Sequence, residues 1–390
     1  MSEKLTAAVV GLGILGRQHA SYLHRHEKVE VVAVCDIRRD VAEQVGASVG
    51  AGVYTDLDEM LRARTPDLVT VATPDPFHRA PTVAAIRAGV PNIIQEKPLA
   101  TNVADAEAIV EAVETAGTRF FINFGNRAAP MDVATRHVIQ NGLLGRVVYG
   151  ESRLDDHIAV PTRLWGQRSR EWAAGSSTAH FLLSHVVDLL RYYFAPAEVK
   201  QVYAISQHEV LGSTADVYDA FLTFDSGLKA RVKAEWIKHI DQLVEFYMCF
   251  SGDEGTLIYN KRPGFGVEEG WRANVSSSIG MADLMKHQQV LYERGVNVTA
   301  GAHRPELATG TLAASGGELT LCLEQRGHDE LDMLAMVGCF IDAIVEDDRE
   351  PKCWAGNGPL PDHVDGLRQT RVIDAIVESS RRSKVIDLTY

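Results

Sequence analysis

The stretch LTAAVVGLGILGRQHASYLHRH, residues 5–26, decides the fold. A six-residue apolar run reads as a buried strand, and a helical pattern begins inside GLGILG. Gly11 makes the tight turn, Gly13 lets the backbone approach a pyrophosphate, and Gly16 packs helix against strand. Phosphates then sit at a helix N-terminus, where backbone N–H groups lack partners. The whole loop of Gly11, Leu12, Gly13, Ile14, Leu15 and Gly16 is therefore assigned to a dinucleotide.

Asp36 lies twenty residues beyond Gly16, at the end of the strand VEVVAVC, where a carboxylate accepts hydrogen bonds from ribose hydroxyls. It favours NAD, because it repels a 2′-phosphate. Arg38 and Arg39 follow at once and would tolerate that phosphate, so NADP stays open. Further apolar runs, DLVTVAT, NIIQ and RFFIN, alternate with amphipathic stretches such as VADAEAIVEAVETAG. Such alternation means a parallel sheet covered on both faces, a doubly wound Rossmann domain over residues 1–125. The loops ATPDPFH (72–78) and QEKPLA (95–100) leave the carboxyl ends of their strands and face the same crevice as the glycine loop. Beside a positively charged nicotinamide, Lys97 would lose its proton more readily and so be suited to polarise or deprotonate a hydroxyl.

The chain's 390 residues are too many for one core, so a second domain is expected over 126–390. There the helix APMDVATRHVIQNG leads into long strand-like segments joined by short turns, an α+β domain with an open, mostly antiparallel sheet. Residues 261–321, rich in Gly, Ser and Ala, read as a lid or an arm onto a neighbouring subunit. A net charge of -13 without a basic cluster argues against nucleic acid. The amino-terminal residues read as a first strand, neither signal peptide nor membrane span, and the five scattered cysteines read as free thiols of a cytoplasmic protein. No metal site is expected, since the histidines are scattered.

The stretch STAHFLLSHVVDLL, 177–190, carries the remaining chemistry. On an α-helix His185 and Asp188 share a face, whereas His180 and His185 point roughly 140° apart and do not serve one site together.

Taken in order, GLGILG, VAVCD, VATPDPFH, QEKPLA, Asn126–Arg127, NGLLGRVVYGES and HVVDLL resemble the Gfo/Idh/MocA family across essentially the whole chain. The resemblance implies NAD(P)-dependent oxidation or reduction at a carbinol carbon of a sugar, glycoside or cyclitol, in a homodimer or homotetramer assembled through the open sheet. It assigns Lys97 to the nicotinamide and the reacting hydroxyl, His185 to general acid/base work, and Thr73, Pro74, His78, Glu96 and Arg127 to the cofactor's walls. One position departs: Phe181 stands where many members carry an aspartate, four residues before the histidine. Either Asp188 orients His185, or a carboxylate comes from the strand ESRLDDHIAVPT, whose alternation puts Glu151, Arg153, Asp155 and His157 on one face, or ordinary dehydrogenase chemistry is lost. Phe181 offers a ring for a sugar face. Asp155, His157, Thr162, Trp165, His180 and His185 complete the substrate candidates. Two alternatives to a dehydrogenase remain: a glycosidase using NAD for transient oxidation, elimination and hydration, and an NAD-sensing regulator without catalysis.

Overall fold

The computed structural model describes residues 4–264, 269–303, 319–326, 334–350 and 358–390. Six strands, β1 (Leu5–Val10), β2 (Val29–Cys35), β3 (Gly52–Tyr54), β4 (Leu68–Val71), β5 (Asn92–Glu96) and β6 (Arg119–Asn123), form a parallel sheet in the order β3-β2-β1-β4-β5-β6. Ala7, Ala8, Val9, Leu68 and Ile94 are fully buried, as expected of strands covered on both faces. The strand order reverses between β1 and β4, where the glycine loop and the loop after β4 leave side by side. Helices Leu57–Ala63 and Val103–Ala116 start on Asp56 and Asn102, whose side chains accept the backbone N–H three residues on. At three residues, β3 is too short to show alternation in the sequence.

The second sheet has ten strands: β7 (Val147–His157), β8 (Val199–Gln207), β9 (Val217–Phe224), β10 (Lys229–Lys238), β11 (Val244–Gly252), β12 (Thr256–Arg262), β13 (Gly270–Asn274), β14 (Thr299–His303), β15 (Thr320–Arg326) and β16 (Ile386–Asp387). Their order is β14-β15-β13-β12-β11-β7-β10-β9-β8-β16, antiparallel except for the β7–β10 pair. Along β10 the inward residues Ala230, Val232, Ala234 and Trp236 alternate with polar ones. They pack on helix Ser184–Phe194, whose Val186, Val187, Leu189 and Leu190 are buried.

Two features differ from the sequence reading. The segment expected as a lid or arm contributes β13, β14, β15 and helix Met281–Glu293, so it lengthens the sheet; residues 304–318 lie outside the described ones. Helix Ala335–Val345 joins the core of the first sheet, where Phe340 stacks on Phe121 with ring centroids 4.8 Å apart. Helix His363–Arg382 packs against both β8 and helix Val103–Ala116, clamping the two halves together. Among the described residues no helix is long and apolar enough to cross a membrane, and Cys35, Cys249, Cys322 and Cys339 are free thiols.

Candidate active site

The glycine loop has the form a dinucleotide needs. Gly11 adopts φ +83°, and a Cβ on Gly16 would stand 1.8 Å from the Gly11 carbonyl oxygen. A Cβ on Gly13 would meet nothing within 4 Å, and no side chain caps helix Ile14–Arg25 behind it. Open space beside uncapped N–H groups suits a pyrophosphate. At the end of β2 the Asp36 carboxylate accepts from the Leu12 N–H at 2.8 Å and from Arg38 Nε at 3.0 Å. Burial alone would raise its pKa, but the bonds from Arg38 and Leu12 hold it below the ordinary value. A charged acceptor therefore stands beside the loop.

The walls are fastened to one another. His78 lies 2.7 Å through Nδ1 from the Pro98 carbonyl and 2.9 Å through Nε2 from that of Thr73, so it staples the loop after β4 to the loop after β5. Thr73 Oγ1 donates to Phe77 O at 3.1 Å, and Pro74 precedes the turn Asp75–Phe77. Glu96 sits 2.7 Å from His19 Nε2 and accepts from Asn123 at 2.7 Å, which ties helix Ile14–Arg25 to β5 and β6. Burial pushes its pKa up, yet His19, Asn123 and Lys97 pull it below the ordinary value. The Arg127 guanidinium forks onto Asp188 at 2.6 Å and reaches Asp365 at 3.4 Å, which braces the wall from inside.

Lys97 follows directly on β5 and is 7% exposed. Its Nζ donates to the Phe181 carbonyl at 3.1 Å and lies 4.2 Å over the Phe181 ring. Burial lowers its pKa against the opposing pull of Asp75, Glu96 and Asp156. His185, four residues further along the same helical segment, has Nδ1 2.9 Å from Asn126 Nδ2. Burial, then the charges of Lys97 and Lys261, place its pKa well below the usual histidine value, so the ring is neutral. Asp188, committed to Arg127, does not orient it.

Alternation along β7 sends Asp155 and Asp156 to opposite faces. Asp155, though fully buried, points away from the crevice to ion pairs with Lys233 (3.3 Å) and Lys238 (3.0 Å). His157 shares that face and accepts from the Ala159 N–H. Asp156, between them, turns to the helix side, where Trp236 Nε1 donates to its Oδ2 at 3.2 Å. It is 2% exposed, and burial, partly offset by Trp236 and Lys97, pushes its pKa up to about 7.

A layer of rings covers these groups. Trp172 packs against Phe181, Trp165 and Trp236 at centroid distances of 4.7, 4.9 and 5.2 Å, and its Nε1 donates to Asp75 at 2.7 Å. Phe181 and Trp165 thus belong to one aromatic wall, while the Thr162 hydroxyl is taken by the Ile158 carbonyl at 2.6 Å. Residues Ala179–Leu183 form a π-helical turn. Its i→i+5 bonding means that the spacing of a regular helix does not hold there, and His180 lies near Asp75 and Thr101 while hydrogen-bonding Ser177 Oγ at 2.8 Å. Asn126, Asp156, Trp172, Trp236 and Lys261 were missed as site residues. Two of them carried a signal: Asn126 as part of the Asn126–Arg127 stretch, and Asp156 as a carboxylate in phase with Leu154 on the apolar face of its strand.

Far from the crevice, His303, Cys322 and Glu324 gather with ligand atoms within 4.8 Å of one another, a set that sequence spacing did not reveal. Arg272 hydrogen-bonds the Cys322 thiol, and Arg326 lies 3.8 Å from Glu324.

A family model described as an oxidoreductase family with an NAD-binding Rossmann fold matches residues 5–124, and one for the GFO/IDH/MocA C-terminal domain matches 133–258. The chain is 30% identical over 211 residues to a D-glucoside 3-dehydrogenase of Escherichia coli, spanning 54% of this chain and 59% of that one. It is 30% identical over 271 residues to an inositol 2-dehydrogenase of Rubrobacter xylanophilus (69% and 68%) and 26% identical over 261 residues to a 2,7-anhydro-N-acetylneuraminate hydratase of Mediterraneibacter gnavus (64% and 66%). The first of these relatives is thus matched over less than two thirds of its length. Among solved structures, the WlbA dehydrogenase of Bordetella pertussis, in complex with NADH and UDP-GlcNAcA, superimposes with a TM-score of 0.76 at 20% identity, covering 100% of this chain and 99% of that one. At that identity the likeness concerns the fold.

Proposed function

The chain belongs to the Gfo/Idh/MocA family of NAD-binding oxidoreductases, and on that premise we propose that it oxidises a secondary hydroxyl of a sugar, glycoside or cyclitol. The observation that carries this reading is the meeting of Lys97, from the end of the nucleotide-binding sheet, with His185, from the second domain, under an aromatic wall. Both are buried, and burial favours the uncharged form of each. Lys97 and His185 flank the reacting hydroxyl and exchange or steady its proton. Phe181 and Trp172 present apolar faces to a ring's C–H side and exclude water. When bound, NAD supplies the acceptor for the carbinol hydrogen. The loop Gly11–Gly16 holds its phosphates, and Asp36, whose charge opposes a 2′-phosphate, selects NAD over NADP.

The free thiols suit a reducing compartment, the cytoplasm. Tyr203, Ile205, Phe221 and Ile258 are exposed on one face of the second sheet, which suits a homo-oligomer formed through it.

The experiment is absorbance at the NADH maximum with purified protein, NAD or NADP, and a panel of polyols, aldoses and aryl glycosides, with aglycone release followed in parallel. NADH formed in step with substrate loss supports the dehydrogenase. Aglycone released without net NADH supports transient oxidation followed by elimination, the alternative to which a hydratase among the relatives lends weight. Neither signal, with NAD bound, leaves the sensor.

A further inference from the structure

We propose that Asp156 takes the proton of the reacting hydroxyl while His185 serves as a hydrogen-bond donor to its oxygen, a division set by Lys261 and Asn126. The inference rests on the dehydrogenase reading and deepens it.

The argument begins at Lys261, buried to 3% exposure and paired with Asp132. An ammonium only donates, and this one donates to Asn126 Oδ1 at 2.8 Å. That contact decides which end of the Asn126 amide is oxygen, so the nitrogen end faces His185 Nδ1 at 2.9 Å. An amide NH₂ also only donates, so Nδ1 must present its lone pair. A neutral imidazole in that tautomer carries its hydrogen on Nε2. Nε2–H can steady an oxygen but has no lone pair to take a proton.

Asp156 supplies an acceptor. Trp236 holds Oδ2, and Trp236 is itself braced by Trp172 at 5.2 Å and Phe181 at 6.2 Å. Among the described residues no hydrogen bond reaches Oδ1. The charged groups acting on Asp156 are Lys97 and Asp155; those acting on His185 are Lys97 and Lys261. Phe181, filling the helical position where the resemblance expects an aspartate, supports the tryptophan that carries the strand's carboxylate. In the step, the O–H bond breaks and its proton passes to Asp156 Oδ1. The freed electron pair closes the C=O bond as the carbinol hydrogen leaves with its own pair, for which NAD, when bound, would be the two-electron acceptor. Asp156 then returns the proton to solvent.

The test has two arms. In the ligand-free protein, ¹⁵N NMR should show His185 neutral with its hydrogen on Nε2, Asn126→Leu should allow the other tautomer, and the Asp156 ¹³Cγ signal should titrate with a midpoint of about 7. In turnover, Asp156→Asn should lower kcat by about 10²–10⁴ with little change in KM, lose the limb of the pH profile belonging to that midpoint, and regain part of its rate as Asp156→Glu. A hydrogen on Nδ1 of His185, or an unchanged kcat in Asp156→Asn, overturns the proposal. Should no carbohydrate or polyol be oxidised, the dehydrogenase reading fails, while the NMR arm still decides the tautomer and the Asp156 titration.

Discussion

Replacing Asp156 by asparagine tests the electrostatics of the crevice without any substrate. The carboxyl is 2% exposed, and its pKa rises from 3.8 to about 7, chiefly through burial. A raised acid pKa means that the folded state resists ionisation which the unfolded chain accepts. Its contribution is fully present below pH 3.8 and is lost as pH rises through about 7. About three units at roughly 1.36 kcal/mol each make the loss about 4 kcal/mol. Asparagine keeps the shape and an acceptor for Trp236 Nε1 but does not titrate. Urea unfolding of the ligand-free protein, followed by tryptophan fluorescence across this range, should therefore show Asp156→Asn gaining on the wild type by about 4 kcal/mol between the acid end and neutrality. A constant difference between the two proteins would refute the assignment of Asp156 as a carboxyl strained by burial.

Two glycines of one loop should behave oppositely. Gly13→Ala, where a Cβ meets nothing, should leave Tm unchanged and weaken NAD binding in calorimetry; Gly16→Ala, where it meets the Gly11 carbonyl at 1.8 Å, should lower Tm as well. Phe340→Ala removes a fully buried ring stacked on Phe121 and should cost about 3–5 kcal/mol in urea unfolding, with the nucleotide-binding half losing structure at lower denaturant. Asp155→Asn leaves Lys233 paired with Glu235 and Lys238 with Glu245. Burial holds the Asp155 pKa above the ordinary value in spite of its lysines, so the folded state disfavours its charge; the variant should therefore not lose stability at neutral pH in urea unfolding, and should leave kcat unchanged, in contrast to its neighbour.

The nucleotide-binding half was legible because its signals are local. A strand, a glycine loop and a helix occupy consecutive residues, and conformation at Gly11 or packing at Gly16 follows from a missing side chain. Continuous apolar runs report burial on both faces, so β1, β2 and the crevice beyond them could be placed from residues alone. Lys97 and His185 were found through a resemblance that preserves their order, and the structure couples them electrostatically.

What resisted the sequence depended on partners far along the chain. Alternation showed that Asp155 and Asp156 face opposite ways, but only the pairing of β7 with β10, which brings Lys233 and Lys238 to one side and Trp236 to the other, decides which carboxylate meets the crevice. Asp188 could have oriented His185 by helical spacing, yet Arg127 claims it. The π-helical turn at Ala179–Leu183 changed the geometry that a regular period assumes for His180. Glycine-rich residues after Lys261 became strands because neighbouring edges offered hydrogen bonds. Sequence thus determined the nucleotide fold and its loops, where the cause lies within a few residues. Tertiary structure decided which polar atoms are spent on one another and which are left to face a substrate, because that choice belongs to pairs of residues as distant as Lys261 and Asn126, 135 positions apart, or Arg127 and Asp365, 238 apart.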